Sequence, residues 1–334
     1  MATRSKGHIL ADRKPVIVTS AGNIGNAVGP ILTGSHVRED SMAGRFVRAS
    51  IVAHLRAERE AGRAIYDALC GSGITAKMAA RGGADLVTTH CLAYFRMQGL
   101  SSMAGYLPIC DANALTLDLG ERSLINVVRE SPLIAGLLCV DPTRDMKHFL
   151  GRVAAAGYDG VMNCPTVALV DGKFRSDLEE TGMGFAREVA TLGEAARMGL
   201  FTKAFCTSAA EAVAMAEAGI DNIIVHFGNS SGGTVGSQTV MNRDAAVMRA
   251  AAVLDALAGK YADRIVTCHG GAIETPEDFA DFLKVEPRLD GYVGGSSAER
   301  FPIETSVTAA ARAFKAVKLA MARQGDRRVS RRRP

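Results

Sequence analysis

Short apolar runs recur along the chain, each preceded by a helix-like stretch that ends in glycine and an acidic residue. Ala79-Ala80-Arg81-Gly82-Gly83-Ala84-Asp85 leads into Leu86-Val87-Thr88-Thr89. Val153-Ala154-Ala155-Ala156-Gly157-Tyr158-Asp159 leads into Gly160-Val161-Met162, and Met215-Ala216-Glu217-Ala218-Gly219-Ile220-Asp221 into Asn222-Ile223-Ile224-Val225. A shorter copy, Leu289-Asp290, precedes Gly291-Tyr292-Val293. Glycine suits the left-handed end of a helix, and the turn after it feeds a buried strand. Apolar runs that alternate with helices mean βαβ units and a parallel sheet.

The pattern predicts eight strands, at 65–70, 86–91, 133–139, 160–164, 202–206, 222–227, 264–269 and 291–295. A ninth run, Leu107-Pro108-Ile109-Cys110, has no glycine-capped helix before it and is placed in the connection after the second strand. Eight alternating units predict a closed (β/α)8 TIM barrel with an N-terminal extension, the alternative being an open doubly wound sheet. The extension covers 1–50, the barrel 51–322 and a basic, disordered tail 323–334. Ile51, Val52 and Leu55 among many charges give an amphipathic helix over Ser50–Arg63, ahead of the first strand. Gly22-Asn23-Ile24-Gly25, after a possible strand in the extension, lacks the rest of a dinucleotide fingerprint.

Composition changes the picture in one respect. The net charge of +4 hints at nucleic acid, but residues Arg323 to Pro334 carry six arginines and one aspartate. Without that tail the chain is close to neutral, so no nucleic-acid partner is expected. No apolar run is long enough to span a bilayer and the first residues lack an apolar signal segment, so the expectation is a cytoplasmic protein without a membrane partner. Seven cysteines with no C-x-x-C pair read as reduced thiols. All but Cys110 end apolar runs, which points to core packing.

In a parallel barrel every strand delivers its last residues to one rim, where helix N-termini also point. Cys70-Gly71-Ser72-Gly73-Ile74-Thr75 follows the first strand; Ser72 or Thr75 caps a helix there or contacts a ligand. His269-Gly270-Gly271 and Gly294-Gly295-Ser296-Ser297 follow the seventh and eighth, where barrels commonly hold phosphate; they read either as a phosphate or carboxylate site or as plain tight turns. Arg300 follows directly, either on a ligand carboxylate or in a surface ion pair. After the sixth strand, His226-Phe227-Gly228-Asn229-Ser230-Ser231-Gly232-Gly233 is a polar loop fit for binding. Glu179 and Glu180 offer a general base or simply complement a helix dipole. His90, His226 and His269 end strands two, six and seven. They would bind a divalent metal with Glu180 or Asp141, act as neutral acid/base groups, or sit in the core; the spacing is not that of a familiar zinc motif.

Across about Ser50 to Leu319 the chain resembles the phosphoenolpyruvate hydrolase-like TIM-barrel family, which groups with the phosphoenolpyruvate/pyruvate-binding barrels. The resemblance rests on Gly71-Ser72-Gly73-Ile74-Thr75-Ala76-Lys77, Phe95-Arg96-Met97, Pro108 with Asp111-Ala112-Asn113-Ala114, and Asp141-Pro142. It continues through Pro165-Thr166-Val167, Asp171-Gly172, Leu178-Glu179-Glu180-Thr181-Gly182-Met183-Gly184, His226, Gly232-Gly233, Cys268-His269-Gly270-Gly271 and Gly294 with Ser296-Ser297-Ala298-Glu299-Arg300. A plant tobamovirus-resistance protein carries a related domain. The chain departs from the family at His90-Cys91-Leu92-Ala93-Tyr94, where relatives tend to a more polar Asn-Ser-Gly-Arg stretch.

The resemblance implies a hydrolase or a C–C/P–O lyase acting on a small anionic metabolite of the phosphoenolpyruvate or 2-oxo-acid type. Glu180, His226 and His269 would be catalytic. Ser72, Gly73, Arg96, Asp111, Asn113, Asn163, Gly270, Gly271, Gly295, Ser296, Ser297 and Arg300 would bind substrate. A divalent metal, Mg2+ or Zn2+, would assist, with no organic cofactor, and the chain would form a homo-oligomer. The alternative is a non-catalytic ligand- or protein-binding barrel.

Overall fold

A computed structural model of the chain describes residues 45–319. Eight parallel strands close into a barrel in sequence order: β1 Ile65–Leu69, β2 Leu86–Thr89, β3 Leu133–Leu137, β4 Gly160–Asn163, β5 Phe201–Cys206, β6 Asn222–His226, β7 Ile265–His269 and β8 Gly291–Gly294. The seam is made by β8 on β1, with Ile65 opposite Gly291. All eight lie at the expected places, and Leu107–Cys110 forms no strand. The open-sheet alternative is ruled out by the closed order.

Twelve helices are described, α1 Arg48–Glu60, α2 Gly73–Arg81, α3 Cys91–Met97, α4 Ala112–Leu119, α5 Ile125–Val127, α6 Met146–Ala156, α7 Gly172–Glu180, α8 Phe185–Arg197, α9 Ala209–Glu217, α10 Arg243–Leu257, α11 Pro276–Leu283 and α12 Arg300–Ala316. Several start on a side chain that accepts the backbone N–H three residues on: Ser72, His90, Asp111, Asp145, Ser208, Asn242 and Thr275. Such caps satisfy donors that the helix itself leaves free. The expected start of the first helix at Ser50 is corrected to Arg48.

The repeat of glycine and acid has a structural cause. Gly83, Gly157 and Gly219 hold φ of 90°, 108° and 87°, where a side chain would strain the backbone. The acid that follows each helix reaches back to the strand before it. Asp85 accepts from Tyr66 N–H at 2.8 Å, Asp159 from Leu133 at 2.9 Å, Asp221 from Thr202 at 3.0 Å, and Asp290 from Val266 at 2.8 Å. Each acid thus ties the entrance of an even strand to that of the odd strand before it.

A basic group from the chain entering the barrel, or from α1, stands against every one of these acids: His54 on Asp85, Arg45 on Asp159, Arg48 on Asp221 and Arg59 on Asp290. Between them Ile51 and Leu55 are fully buried and pack with Phe46, Ile65, Leu86, Ile134, Phe201 and Ile265. Helix α1 therefore stoppers the N-terminal end of the barrel with an apolar plug ringed by three Arg–Asp pairs and the His54–Asp85 hydrogen bond.

Inside the barrel, one layer above the plug, Lys203 of β5 is wholly buried and pairs with Asp67 of β1. Its Nζ donates to Thr88 Oγ1 at 2.7 Å, and Thr88 donates to Asp67 at 2.9 Å. Burial of a lysine is tolerated only with such partners. Six cysteines are buried, Cys110 is partly exposed, and none is bridged. Among the described residues no helix is long and apolar enough to cross a membrane. The basic tail and most of the N-terminal extension lie outside the described residues.

Candidate functional site

The C-terminal mouth of the barrel is crossed by the loop after β6 and floored by His269. A cavity of about 50 Å³ there is lined by Arg96, His269, Gly295, Ser296 and Arg300, and by Asn229 and Ser230 of the loop. The space suits a group of a few heavy atoms, such as a carboxylate. Absence of a side chain at Gly295 makes room: a Cβ there would lie 3.1 Å from His269 Cε1 and 3.5 Å from Arg96 Nη1.

His226 and His269 end neighbouring strands, directly paired in register, with ring centroids 4.8 Å apart. Phe205 packs on both, at 4.6 and 5.0 Å. Backbone partners fix the tautomers. His269 Nδ1 lies 2.7 Å from the Val293 carbonyl, which can only accept, so Nδ1 carries the proton and Nε2 is left basic. His226 Nδ1 accepts from Gly228 N–H at 2.9 Å, and His90 Nδ1 accepts from Ala93 N–H at 3.1 Å, so both carry their proton on Nε2. Burial drives His269 down to about 4, with the charges of Arg96 and Lys203 adding to it against the Val293 bond. Burial likewise holds His226 and His90 well below the ordinary imidazole range. All three are neutral at physiological pH.

The glycine turn after β1 already holds an anion, the chain's own Glu299. Its fully buried carboxylate accepts from Gly71 N–H at 2.6 Å, from the Thr75 hydroxyl, and from Arg96 Nε and Nη2 at 3.2 and 2.7 Å. Arg96 Nη2 also donates to the Leu69 carbonyl at 2.6 Å. Nη1 makes no hydrogen bond among the described residues and turns toward Gly295. Arg300 donates to the Gly232 carbonyl from both Nη1 and Nη2, each at 3.1 Å, and reaches Glu304 at 3.3 Å. It thereby ties the loop after β6 to α12.

The expected site residues therefore divide. Arg96, His269, Gly295, Ser296 and Arg300 meet at the mouth, with His226 against His269. Ser72 caps α2, and a Cβ on Gly73 would crowd Ser123 Oγ at 2.7 Å. Gly270 and Gly271 have φ of 80° and 63°; a Cβ on Gly270 would run into the Gly228 carbonyl, so backbone crowding explains this turn. The Ser297 hydroxyl is buried below the turn.

Four expectations are corrected. Glu180 is exposed at the end of α7, a helix with no buried residue, where Ser176 donates to it at 3.1 Å; it does not line the mouth. Asp111 caps α4, pairs with Arg144, and lines a separate open groove of about 640 Å³ with Tyr106, Pro108 and Phe174. Asn113 is buried and spends its amide on both backbone groups of Leu138 and on Asp141, which leaves nothing for a ligand. Asn163 is equally occupied, by Phe205, Thr166 and Glu188. Glu188 was not anticipated. It is fully buried and raised to about 7 by desolvation, against hydrogen bonds from Asn163, Val167 and Thr166.

A metal finds a poor donor set at the mouth. No side chain lining the cavity is a carboxylate, and of the three histidines only His269 presents a free Nε2 lone pair. Mg2+ wants several oxygen ligands and Zn2+ three or more protein ligands, so these residues do not fit either ion. The described residues that could hold a cation are His54, Glu58 and Asp85, whose ligand atoms lie within 4.8 Å of one another. They stand at the plugged end, where Glu58 already takes Arg63 and Asp85 takes His54.

Comparison with known proteins completes the picture. Residues 50–317 match the model of the phosphoenolpyruvate hydrolase-like family. The chain belongs to this family. It is 41% identical over 272 residues to the ToMV resistance protein Tm-1(GCR237) of Solanum lycopersicum, a match that covers 81% of this chain and 36% of that protein. The chain thus spans about a third of the length of that relative. Among solved structures it is similar to phosphonopyruvate hydrolase crystallised with oxalate and Mg2+, at a TM-score of 0.54 and 16% identity, covering 79% of this chain and 87% of that one. It is also similar to 2,3-dimethylmalate lyase, a member of the PEP mutase/isocitrate lyase superfamily, at 0.53 and 16%, covering 82% and 92%. At such identities these structures speak for the shared barrel alone.

Proposed function

We propose that this family member is an enzyme, a hydrolase or lyase that acts on a small anion of the phosphoenolpyruvate or 2-oxo-acid type at the C-terminal mouth. The observation that carries the reading is the tautomer of His269. Its Nδ1–H is spent on Val293, so a basic Nε2 faces a cavity with Arg96 and Arg300 on its wall. A neutral base beside cationic side chains suits proton movement at a bound carboxylate-bearing substrate. Arg96 Nη1 and the Ser296 turn would hold the anion, and Phe205 excludes water from the imidazole faces. The family supports the substrate class.

Turnover of phosphoenolpyruvate, phosphonopyruvate and oxaloacetate by the purified chain, against its His269→Ala variant, tests this. Loss of at least about a hundredfold in rate is expected for the variant. Wild-type turnover by His269→Ala would overturn the assignment, and binding without any turnover would favour the non-catalytic alternative. A homo-oligomer is proposed on α12, of which Arg300 is the sole buried residue while Val307 and Phe314 are 62% and 82% exposed. Light scattering checks it; a monomer would refute it.

A further inference from the structure

The loop after β6 has no apolar foothold. From Gly228 to Asn242 not one residue is buried, yet Asn229, Ser230, Val235, Gly236 and Ser237 form part of the cavity wall. A segment so poor in buried contacts belongs to the low end of local stability, and its place depends on the polar groups that hold it. Its two ends are fixed. Gly228 N–H donates to His226 Nδ1 at 2.9 Å, and the Gly228 carbonyl accepts from Gly271 N–H at 3.2 Å. At the other end Asn242 caps α10, accepting from Ala245 N–H at 2.9 Å.

Between these ends the loop hangs on three charged side chains from outside it. Ser237 N–H donates to the Ser230 carbonyl at 3.1 Å and closes the segment between them into a compact turn. On one flank the Ser231 hydroxyl donates to Glu274, in the connection from β7 to α11. On the other, Thr234 N–H donates to the two oxygens of Glu304 on α12, at 3.1 and 3.3 Å, and the Thr234 hydroxyl donates to the same carboxylate. Arg300 holds the Gly232 carbonyl between the two acids. Gly232 and Gly233 permit so close an approach. A Cβ on Gly232 would lie 2.9 Å from the Glu274 carboxylate, and one on Gly233 would run into Arg300 Nη1. Neither Glu274 nor Glu304 lines the cavity itself.

We propose that Glu274 and Glu304 are positioning residues that latch the loop after β6 shut over the mouth, so that a small anion enters only when both let go. The gating rests on the reading that the mouth takes such an anion; the latch itself does not. Loss of a hydrogen bond to a charged acceptor shifts an equilibrium by about tenfold or more, enough to govern how often an unburied loop opens.

Amide hydrogen exchange of the full chain without ligand, followed by mass spectrometry, reads the latch. Glu304→Ala is expected to speed exchange in peptides from 229–241 about tenfold or more, while β6 and β7 stay as protected as in wild type. Glu304→Gln keeps an acceptor for Thr234 and is expected within about threefold of wild type. Glu274→Ala repeats the test from the other flank, and thermal melts show whether each variant is folded; if one is not, the other acid decides. Association of 13C-labelled oxalate, from NMR line shapes and the calorimetric affinity, reads the gate. Both alanine variants are expected to take it up about fivefold faster or more, whereas an acid with a merely structural role leaves that rate alone or lowers it. The latch is overturned if wild-type loop amides exchange at the unprotected rate, or if neither alanine variant speeds them. Oxalate bound no faster by either variant sinks the gate and leaves the functional reading in place. A latched loop over a mouth that takes no oxalate sinks that reading, and the gate with it.

Discussion

Glu299, just beyond the last strand, accepts the N–H of Gly71, just beyond the first, at 2.6 Å. The bond spans the seam at which β8 meets β1, and the carboxylate occupies a turn whose composition suits an external anion. Arg96 completes the arrangement with side-chain exposure of 5% against 0% for Glu299. Removing one partner of so buried a pair strands the other. Glu299→Ala is expected to destabilise the chain by about 3–5 kcal/mol in urea unfolding. A change under about 1 kcal/mol would mean that solvent reaches Arg96 in the folded protein.

Stability is expected to fall on the acid side of neutrality. The folded chain keeps His269 neutral down to about pH 4, and His90 and His226 are depressed as well, whereas unfolded imidazoles titrate near 6.5. Between those values the unfolded state binds more protons, so stability drops as pH falls through the window, by up to about 1.4 kcal/mol per unit per histidine. Urea midpoints at pH 7, 6 and 5 check this, and His269→Asn is expected to give a shallower decline.

Glu188 acts in the opposite sense. Its folded value of about 7 lies above the 4.5 of a free glutamate, so its contribution is whole at low pH and fades as pH rises through neutrality. Glu188→Gln removes that loss. Wild type and variant are expected to converge in acid and to separate as pH rises from about 4.5 to about 7, the variant gaining, with the difference levelling off above that; curves parallel across this window would argue against a protonated Glu188.

Glu180→Gln is expected to change turnover less than about twofold and stability by less than about 0.5 kcal/mol, since the side chain is exposed on α7. A variant with tenfold lower activity would bring α7 back to the chemistry.

At the plugged end, Arg48 grips Asp221 through Nε and Nη2 at 2.9 Å and also donates to the Ala196 and Gly219 carbonyls. Arg48→Ala leaves a nearly buried Asp221 without its cation, and a loss of about 2 kcal/mol or more is expected. Denaturant midpoints measure it.

The architecture was legible because its signals are local. A glycine, an acid two residues on and an apolar run sit within one short segment, and each copy carries the chemistry that ends a helix and starts a strand. Strand ends pointed His226, His269 and Arg300 to one rim and the family resemblance added Arg96; these side chains lie together there. The sequence failed as a guide where a side chain's partner decides its role. Arg96 and Glu299 meet across 203 residues, and nothing in either segment announces that they neutralise each other. Asn113 and Asn163 read as ligand contacts because their use by backbone is invisible along the chain. Glu180 read as a base because a helix's outward face cannot be told from its inward one in so polar a stretch. One signal was available and unused: Lys203 in the middle of the apolar strand Phe201–Cys206 marks a buried charge that demands a partner.

The stopper formed by α1 gives the molecule the topology of a cup instead of a pipe. Ile51 and Leu55 block the far end, and the Lys203–Asp67 pair fills the waist above them. Among the described residues the barrel opens at its rim alone, so on the proposed function two small acids would exclude each other there, and a product of similar charge and size would compete with fresh substrate.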